Sequence, residues 1–318
     1  MFVPIVHHPG YVTPLPAGHR FPMAKYGRLI EVLRERGFAS PGSLRAPDPA
    51  PRWWLDLAHD AAYVREVLEL TAGPGTMRRI GLPLTAALAL RSRLAVAGTV
   101  LAGELALRYG IACNTAGGSH HAGRAYGAGF CVFNDIAVAA RVLQALGLAR
   151  RIMVLDLDVH QGDGTADILR DDPTVFTFSL HCGDNYPPRK QRSDLDLVLE
   201  AGTGDDDYLA MVERHVPGML GEWQPDLVFY NAGVDPHRAD RLGKLALSDD
   251  GLIARERLVV GACRRAAVPM ATVVGGGYSE DIDALAARHA LVMQAAAEAM
   301  AGDPQSANLA ASSGRVML

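Results

Sequence analysis

Lysine is scarce in this chain. Of 31 basic residues among 318, only Lys25, Lys190 and Lys244 are lysines. With the abundance of alanine, this arginine bias points to a GC-rich bacterial genome. The net charge is −4 and no basic stripe stands out, which argues against a nucleic-acid surface. Cysteine is sparse as well. Cys113, Cys131, Cys182 and Cys263 show no CxxC spacing, so reduced thiols in a cytoplasmic protein are expected. The start, MFVPIVHHPGY, has neither a basic n-region nor a long apolar h-region, and no signal peptide is expected. The apolar run over 84–107 is interrupted by Arg91, Arg93 and Glu104. It reads as a buried helix rather than a membrane span. Repeats and linkers are missing too. One domain is expected over 1–300, followed by a loose tail of small and polar residues over 301–318.

What is present centres on residues 151–163, RIMVLDLDVHQGD. Ile152, Met153, Val154 and Leu155 make an unbroken apolar run, followed by alternation at Asp156, Asp158 and His160. In a strand these three share one face. Two carboxylates and an imidazole beside an apolar core each cost several kcal/mol unless compensated. A metal ion is the simplest compensation.

The surrounding pattern alternates strands with helices. Strands are expected at 2–6, 111–113, 151–158, 174–180, 226–231 and 269–274. Helices are expected at 22–36, 59–70, 85–109, 134–146, 164–170, 206–220, 249–266 and 280–300. Loops are expected at 40–52, 73–83, 114–129 and 181–204. This order implies a mostly parallel sheet with helices on both faces. Polar residues follow four strand ends: Asp158/His160, Ser179/His181, Asn231/Asp235 and Gly277/Tyr278. Ligands bind at that edge of open α/β sheets.

Asp158, His160 and Asp235 make a three-ligand set that leaves a zinc ion one open position. Asp235 before Pro236 also fits an ordinary turn, and Asp158 with His160 a simple hydrogen-bonded pair. Two carboxylates leave a bound zinc nearly neutral, so its water needs a separate base. The oxygen-rich set also suits Fe(II) or Mn(II). His120 and His121, in a Gly-rich loop, are the base candidates; a solvated surface pair is the plainer reading. Asp156 and Asp163 remain to orient them as two Asp–His dyads. Tyr278, after three glycines, is either a half-buried turn residue or a donor to a developing oxyanion.

Four blocks together carry a resemblance: NTAGGSHHAGRAYGAGFCVFND from Asn114, VLDLDVHQGDGT, NAGVDPHRADRLG and GGGYSEDI. In this order they resemble the zinc-dependent histone deacetylase and acetoin-utilisation family. HRFPMAKY (from His19) and the DRLG from Asp240 are most similar to its class IV branch and bacterial relatives. The resemblance implies the single-domain arginase/deacetylase α/β fold, with an eight-stranded, mostly parallel sheet. It implies zinc on Asp158, His160 and Asp235. It pairs Asp156 with His120 and Asp163 with His121, and gives the oxyanion role to Tyr278. It places Gly129, Phe130, Tyr186, Gly276 and Gly277 along a substrate tunnel, with Phe130 and Tyr186 as facing walls. A structural K⁺ is implied near Asp156, Asp158, His160, Ser179 and Leu180, and Arg20 matches an arginine of an internal product channel.

The implied activity is hydrolysis of an N-acyl-lysine amide, acetyl or longer, in a peptide or protein. Alternatives are a small acyl-amine such as an acetylpolyamine, and a non-catalytic acyl-ligand binder. No acidic residue matches the rim aspartate that holds peptide backbone. Leu242 stands near the position of the polyamine enzymes' gatekeeper glutamate. Gly162 and His237 occupy positions where a ureohydrolase needs further aspartates for a second metal.

Overall fold

Ile152-Met153-Val154-Leu155 and Leu227-Val228-Phe229-Tyr230 are buried at every position. Neighbouring strand residues point to opposite faces, so both faces of the sheet at these strands are covered. They form the centre of a sheet whose strands are β1 (Ile5–Val6), β2 (Leu44–Arg45), β3 (Ile111–Asn114), β4 (Ile152–Asp156), β5 (Val175–Cys182), β6 (Leu195–Leu199), β7 (Leu227–Asn231) and β8 (Met270–Val273). The order is β2-β1-β3-β8-β7-β4-β5-β6, and every pairing is parallel. This computed structural model describes residues 2–301. Beyond residue 301, the expected loose tail lies outside the described residues.

The helices are α1 (Lys25–Glu35), α2 (Arg52–Asp56), α3 (Ala61–Leu68), α4 (Pro74–Ile80), α5 (Ala86–Tyr109), α6 (Asp135–Ala145), α7 (Asp163–Leu169), α8 (Asp205–Trp223), α9 (Asp249–Arg265) and α10 (Ile282–Ala301). Local chemistry sets their ends. Thr85 caps α5 by accepting from the Leu88 amide, and Gly110 stops it at φ 89°. Ser248 caps α9, with Asp249 and Asp250 in its first turn and Arg264 and Arg265 in its last, matching the helix dipole. By length and composition α5 could cross a membrane, but 72% of its apolar window is buried inside the protein. It packs on β3, β8 and α6.

Three expected loops carry structure. Residues 73–83 hold α4, whose Pro74 sits in the first turn and whose Gly81 ends the helix in the left-handed region at φ 76°. Proline and glycine read there as loop signals, but those are the positions where they start and stop helices. The edge strand β6 lies in the expected loop 181–204, and β2 in the loop 40–52. Strand β4 also ends sooner than expected, at Asp156. Asp158 and His160 therefore do not line one strand face with it. Asp156 turns the chain instead, its Oδ1 accepting from the Asp158 amide at 3.2 Å. Short polar side chains commonly end regular structure in this way.

Candidate active site

The ends of β3, β4, β7 and β8 converge, and their exit loops supply the site. Asp158 and His160 leave β4, Asp235 leaves β7, and Gly275-Gly276-Gly277-Tyr278 leave β8. One donor atom each from Asp158, His160 and Asp235 falls within 4.8 Å of the others. All three residues are buried. His160 Nδ1 lies 3.0 Å from Asp158 Oδ1 and 3.0 Å from Asp235 Oδ2. The other carboxylate oxygens are held by the backbone: Gly276 N donates to Asp158 Oδ2 at 2.7 Å, and Val159 N to Asp235 Oδ1 at 2.9 Å. Asp235 Oδ2 makes no hydrogen bond.

A buried carboxylate oxygen without a donor, beside an imidazole nitrogen and a second carboxylate, fits a divalent cation. Burial and the Asp158 charge raise the Asp235 pKa. Burial opposes charge on His160, but Asp158, whose Oδ1 accepts from the ring Nδ1, and the neighbouring Asp235 carboxylate outweigh it and raise its pKa. Metal would relieve both. A Cβ on Gly276 would stand 2.1 Å from Asp235 Oδ2 and 2.6 Å from Asp158 Oδ2. Gly276→Ala is therefore expected to abolish stoichiometric metal uptake while the protein still folds, read by metal analysis of the purified variant. Uptake equal to wild type would show that metal binds elsewhere.

Both histidines of the tandem are buried and each meets a carboxylate. His120 Nδ1 lies 2.7 Å from Asp156 Oδ2, and His121 Nδ1 lies 2.6 Å from Asp163 Oδ1. An ionised carboxylate only accepts, so each Nδ1 carries the proton and each Nε2 is free of it in the neutral ring. The pairs nevertheless differ electrically. For His120, burial disfavours charge, but Asp156 and Asp158 prevail and raise its pKa to about 9. For His121, burial and the neighbouring His120 charge prevail over Asp163 and lower it to about 4. His121 is thus the neutral partner of a charged neighbour, with ring centroids 4.1 Å apart.

Asn134 and Asp135 hold this loop in place. Asn134 Nδ2 donates to Ala122 O and Thr165 Oγ1, and Asp135 accepts from the amides of Gly118 and Ser119.

Above the histidines lies a cavity of about 290 Å³, lined by Gly129, Phe130, Tyr186 and Tyr278 among others. Gly129 and Phe130 both adopt positive φ, 54° and 68°. For phenylalanine that is a strained conformation. It is held by Gly129 N and Phe130 N donating to Arg79 O and Ile80 O of α4. Tyr186 meets the His121 ring edge-on at 4.7 Å. Tyr278 lies 6.2 Å from the His160 ring, and no protein group accepts from its hydroxyl among the described residues. Burial, followed by the charges of Asp158 and Asp235, raises its pKa, so it remains a neutral donor.

Gly276 contributes its amide to Asp158, and Gly277 its carbonyl to Lys25. Asp156 and Ser179 are paired across β4 and β5, with Leu180 next to Ser179. Arg20 lines the outer cavity, not the inner one, where Arg91 stands instead. It therefore belongs to the rim, a correction to the product-channel match. Two positioning residues escaped the sequence reading. Lys25, buried, donates to Gly275 O and Gly277 O at 3.1 and 3.2 Å. Asp240 accepts from the Tyr278 amide at 2.7 Å. A lysine in so lysine-poor a chain was the available signal for the first. The second lay in the DRLG block without a role.

Comparison with known proteins agrees with this architecture. A histone deacetylase domain matches residues 19–295. An uncharacterised protein of Picosynechococcus sp. is 53% identical over 296 residues, covering 93% of this chain and 99% of that protein. A histone deacetylase-like amidohydrolase of Pseudomonas aeruginosa is 32% identical, over 85% of this chain and 76% of its own. The crystal structure of the HDA15 HD domain superposes with a TM-score of 0.82 at 22% identity, covering 94% of this chain and 89% of that one. The chain belongs to the histone deacetylase family.

Proposed function

We propose that this hydrolytic deacetylase cleaves the amide of an Nε-acyl-lysine carrying a short acyl group, above all acetyl. One observation carries the reading. The buried Asp158–His160–Asp235 group, two His–Asp dyads and an unpartnered Tyr278 hydroxyl meet around an aromatic-walled cavity. Asp158, His160 and Asp235 would hold zinc, with Fe²⁺ also compatible with so oxygen-rich a set. Bound there, the metal supplies Lewis-acid polarisation of the carbonyl and acidifies water. The remaining work falls to the side chains. Phe130 and Tyr186 flank the lysine's methylenes. His121, neutral above about pH 4, accepts the proton of the attacking water on Nε2. The Tyr278 hydroxyl donates to the tetrahedral oxyanion. The proton on His121 then passes to the leaving nitrogen as the C–N bond breaks, releasing amine and carboxylic acid. His120, charged beside Asp156 and Asp158, adds a fixed positive potential. Asp156, Asp158, His160, Ser179 and Leu180 would frame a structural K⁺, through which no step runs.

The size of the inner cavity supports a short acyl group. The space beyond Tyr278, bounded by Phe21, Tyr26 and Arg91, is about 20 Å³, room for about one water molecule. An acetyl methyl needs little more, whereas a longer chain must displace packed side chains. Zinc-loaded protein is expected to cleave acetyl-lysine peptides at least about tenfold better, in kcat/KM, than octanoyl or myristoyl ones, a difference of about 1.4 kcal/mol. An equal or reversed order would overturn the acyl-length assignment. Tight binding without turnover would instead favour a non-catalytic acyl-ligand binder. An acetylpolyamine fits less well, because a polycation would meet Arg20, Arg78 and Arg79 at the mouth.

A further inference from the structure

Three arginines line the mouth of the cavity: Arg20, Arg78 and Arg79. They are exposed, and none forms an ion pair among the described residues. No aspartate or glutamate lines the same opening. The chain as a whole has acid to spare, 35 acidic against 31 basic residues. Elsewhere on the surface Arg28, Arg52, Arg170, Arg241 and Arg257 each take a carboxylate partner. The rim is thus locally cationic on an acidic protein.

The rim is also fastened to the tunnel wall. Arg79 O and Ile80 O accept from the amides of Gly129 and Phe130 at 3.1 and 2.7 Å. His19, the neighbour of Arg20, places its Nε2 3.0 Å from Gly81 O. Gly81 in turn faces the Phe130 ring, with space for a Cβ only at 3.2 Å. The Arg79 guanidinium stacks on Tyr126 at 4.9 Å. Arg78 and Arg79 sit in the last turn of α4, where the helix dipole favours cations. That accounts for their charge in part. It does not account for Arg20, which reaches the same opening from a separate segment.

We infer that this mouth selects acyl-amine substrates bearing an anionic group beyond the amide. Guanidinium groups bind carboxylates and phosphates through paired N–H donors. The anion is either an acidic residue flanking the acyl-lysine or the free carboxylate of a small acyl-amino acid. This deepens the deacylation reading and rests on it for the position of the amide.

The test compares acetyl-lysine peptides flanked by Glu, Gln or Arg. A second arm compares Nα,Nε-diacetyl-lysine with its α-carboxamide. Both kcat/KM and equilibrium binding, by anisotropy of labelled peptides or competition, are measured on zinc-loaded protein. Glu-flanked peptide is expected to exceed Arg-flanked peptide about tenfold at low salt, with the gap closing at high salt. The preference should invert in Arg20→Glu/Arg78→Glu. The arm with the larger ratio identifies the source of the anion. Should the double variant fail to fold, the single Arg20→Gln and Arg78→Gln changes must each shrink the ratio. A wild type indifferent to flanking charge, or a ratio untouched by these changes, overturns the inference. Preferential binding of the acidic peptide without cleavage of any peptide would leave it standing and refute the deacylation reading instead.

Discussion

Tyr278→Phe is expected to lower kcat roughly 100- to 1000-fold, the usual cost of one lost oxyanion donor. Metal content and unfolding midpoint should stay at wild-type values. The geometry makes this a clean experiment. The hydroxyl has no protein acceptor among the described residues, so its removal leaves no other group unpaired in the resting enzyme. The ring stays packed against Phe130 at 5.8 Å and Phe21 at 6.3 Å, and the backbone stays tied to Asp240. Acidity does not complicate the comparison, because burial and two nearby carboxylates keep the phenol protonated. KM should change much less than kcat, since the strong hydrogen bond forms only as charge develops on the oxygen. A Tyr278→Phe enzyme with full turnover and bound zinc would remove Tyr278 from the mechanism.

The second large effect concerns metal and pH. Asp235→Ala is expected to abolish zinc binding and to reduce turnover well beyond the roughly 10- to 100-fold cost of losing a residue that merely orients a metal ligand. In the intact protein, zinc affinity should weaken as the pH falls. Burial and Asp158 raise the Asp235 pKa, and the flanking carboxylates raise that of His160 against the effect of burial. Both groups must release their protons before they can bind metal. The sign for stability follows from the same shifts. A carboxyl whose folded pKa exceeds its unfolded value holds more protons folded than unfolded. Between those two values, the metal-free protein loses stability as pH rises. His160, also raised, contributes stability at low pH that is lost as pH climbs through its folded value. Both groups therefore make the metal-free fold weaker at neutral and alkaline pH, the range in which deprotonated ligands favour a metal ion. The zinc-induced rise in Tm should be largest there and shrink on acidification. A Tm shift independent of pH, measured by calorimetry with and without zinc, would point to a different ligand set.

The two dyads show how far local sequence carried the reading. His120, His121, Asp156 and Asp163 could be singled out by residue type and by spare carboxylates. Their opposite electrical characters could not. They arise because Asp158 lies 3.7 Å from His120 Nε2, whereas His121 has only Asp163 beside it and faces the charge of His120. Strand β4 offers a similar lesson. Period-two alternation placed Asp156, Asp158 and His160 on one face, yet the ladder stops at Asp156 because its side chain captures the next free amide. Alternation in a polar segment cannot distinguish a strand from a turn that happens to repeat every two residues.

Sequence alone singled out the candidate site residues and the general order in which the strands bring them. Apolar runs bounded by polar residues at strand ends suffice for that, since burying such runs leaves the polar ends together at one edge of the sheet. Tertiary structure decided what surrounds them. Lys25 reaches the glycine loop after β8 across 250 residues of chain. Arg20, Arg78 and Arg79 come from two separate segments to make one cationic rim. Helix α4 was hidden because its punctuation, Pro74 and Gly81, is also that of a loop. Such features depend on distances between segments far apart in the chain. Local periodicity holds no record of those distances; packing of the whole domain sets them.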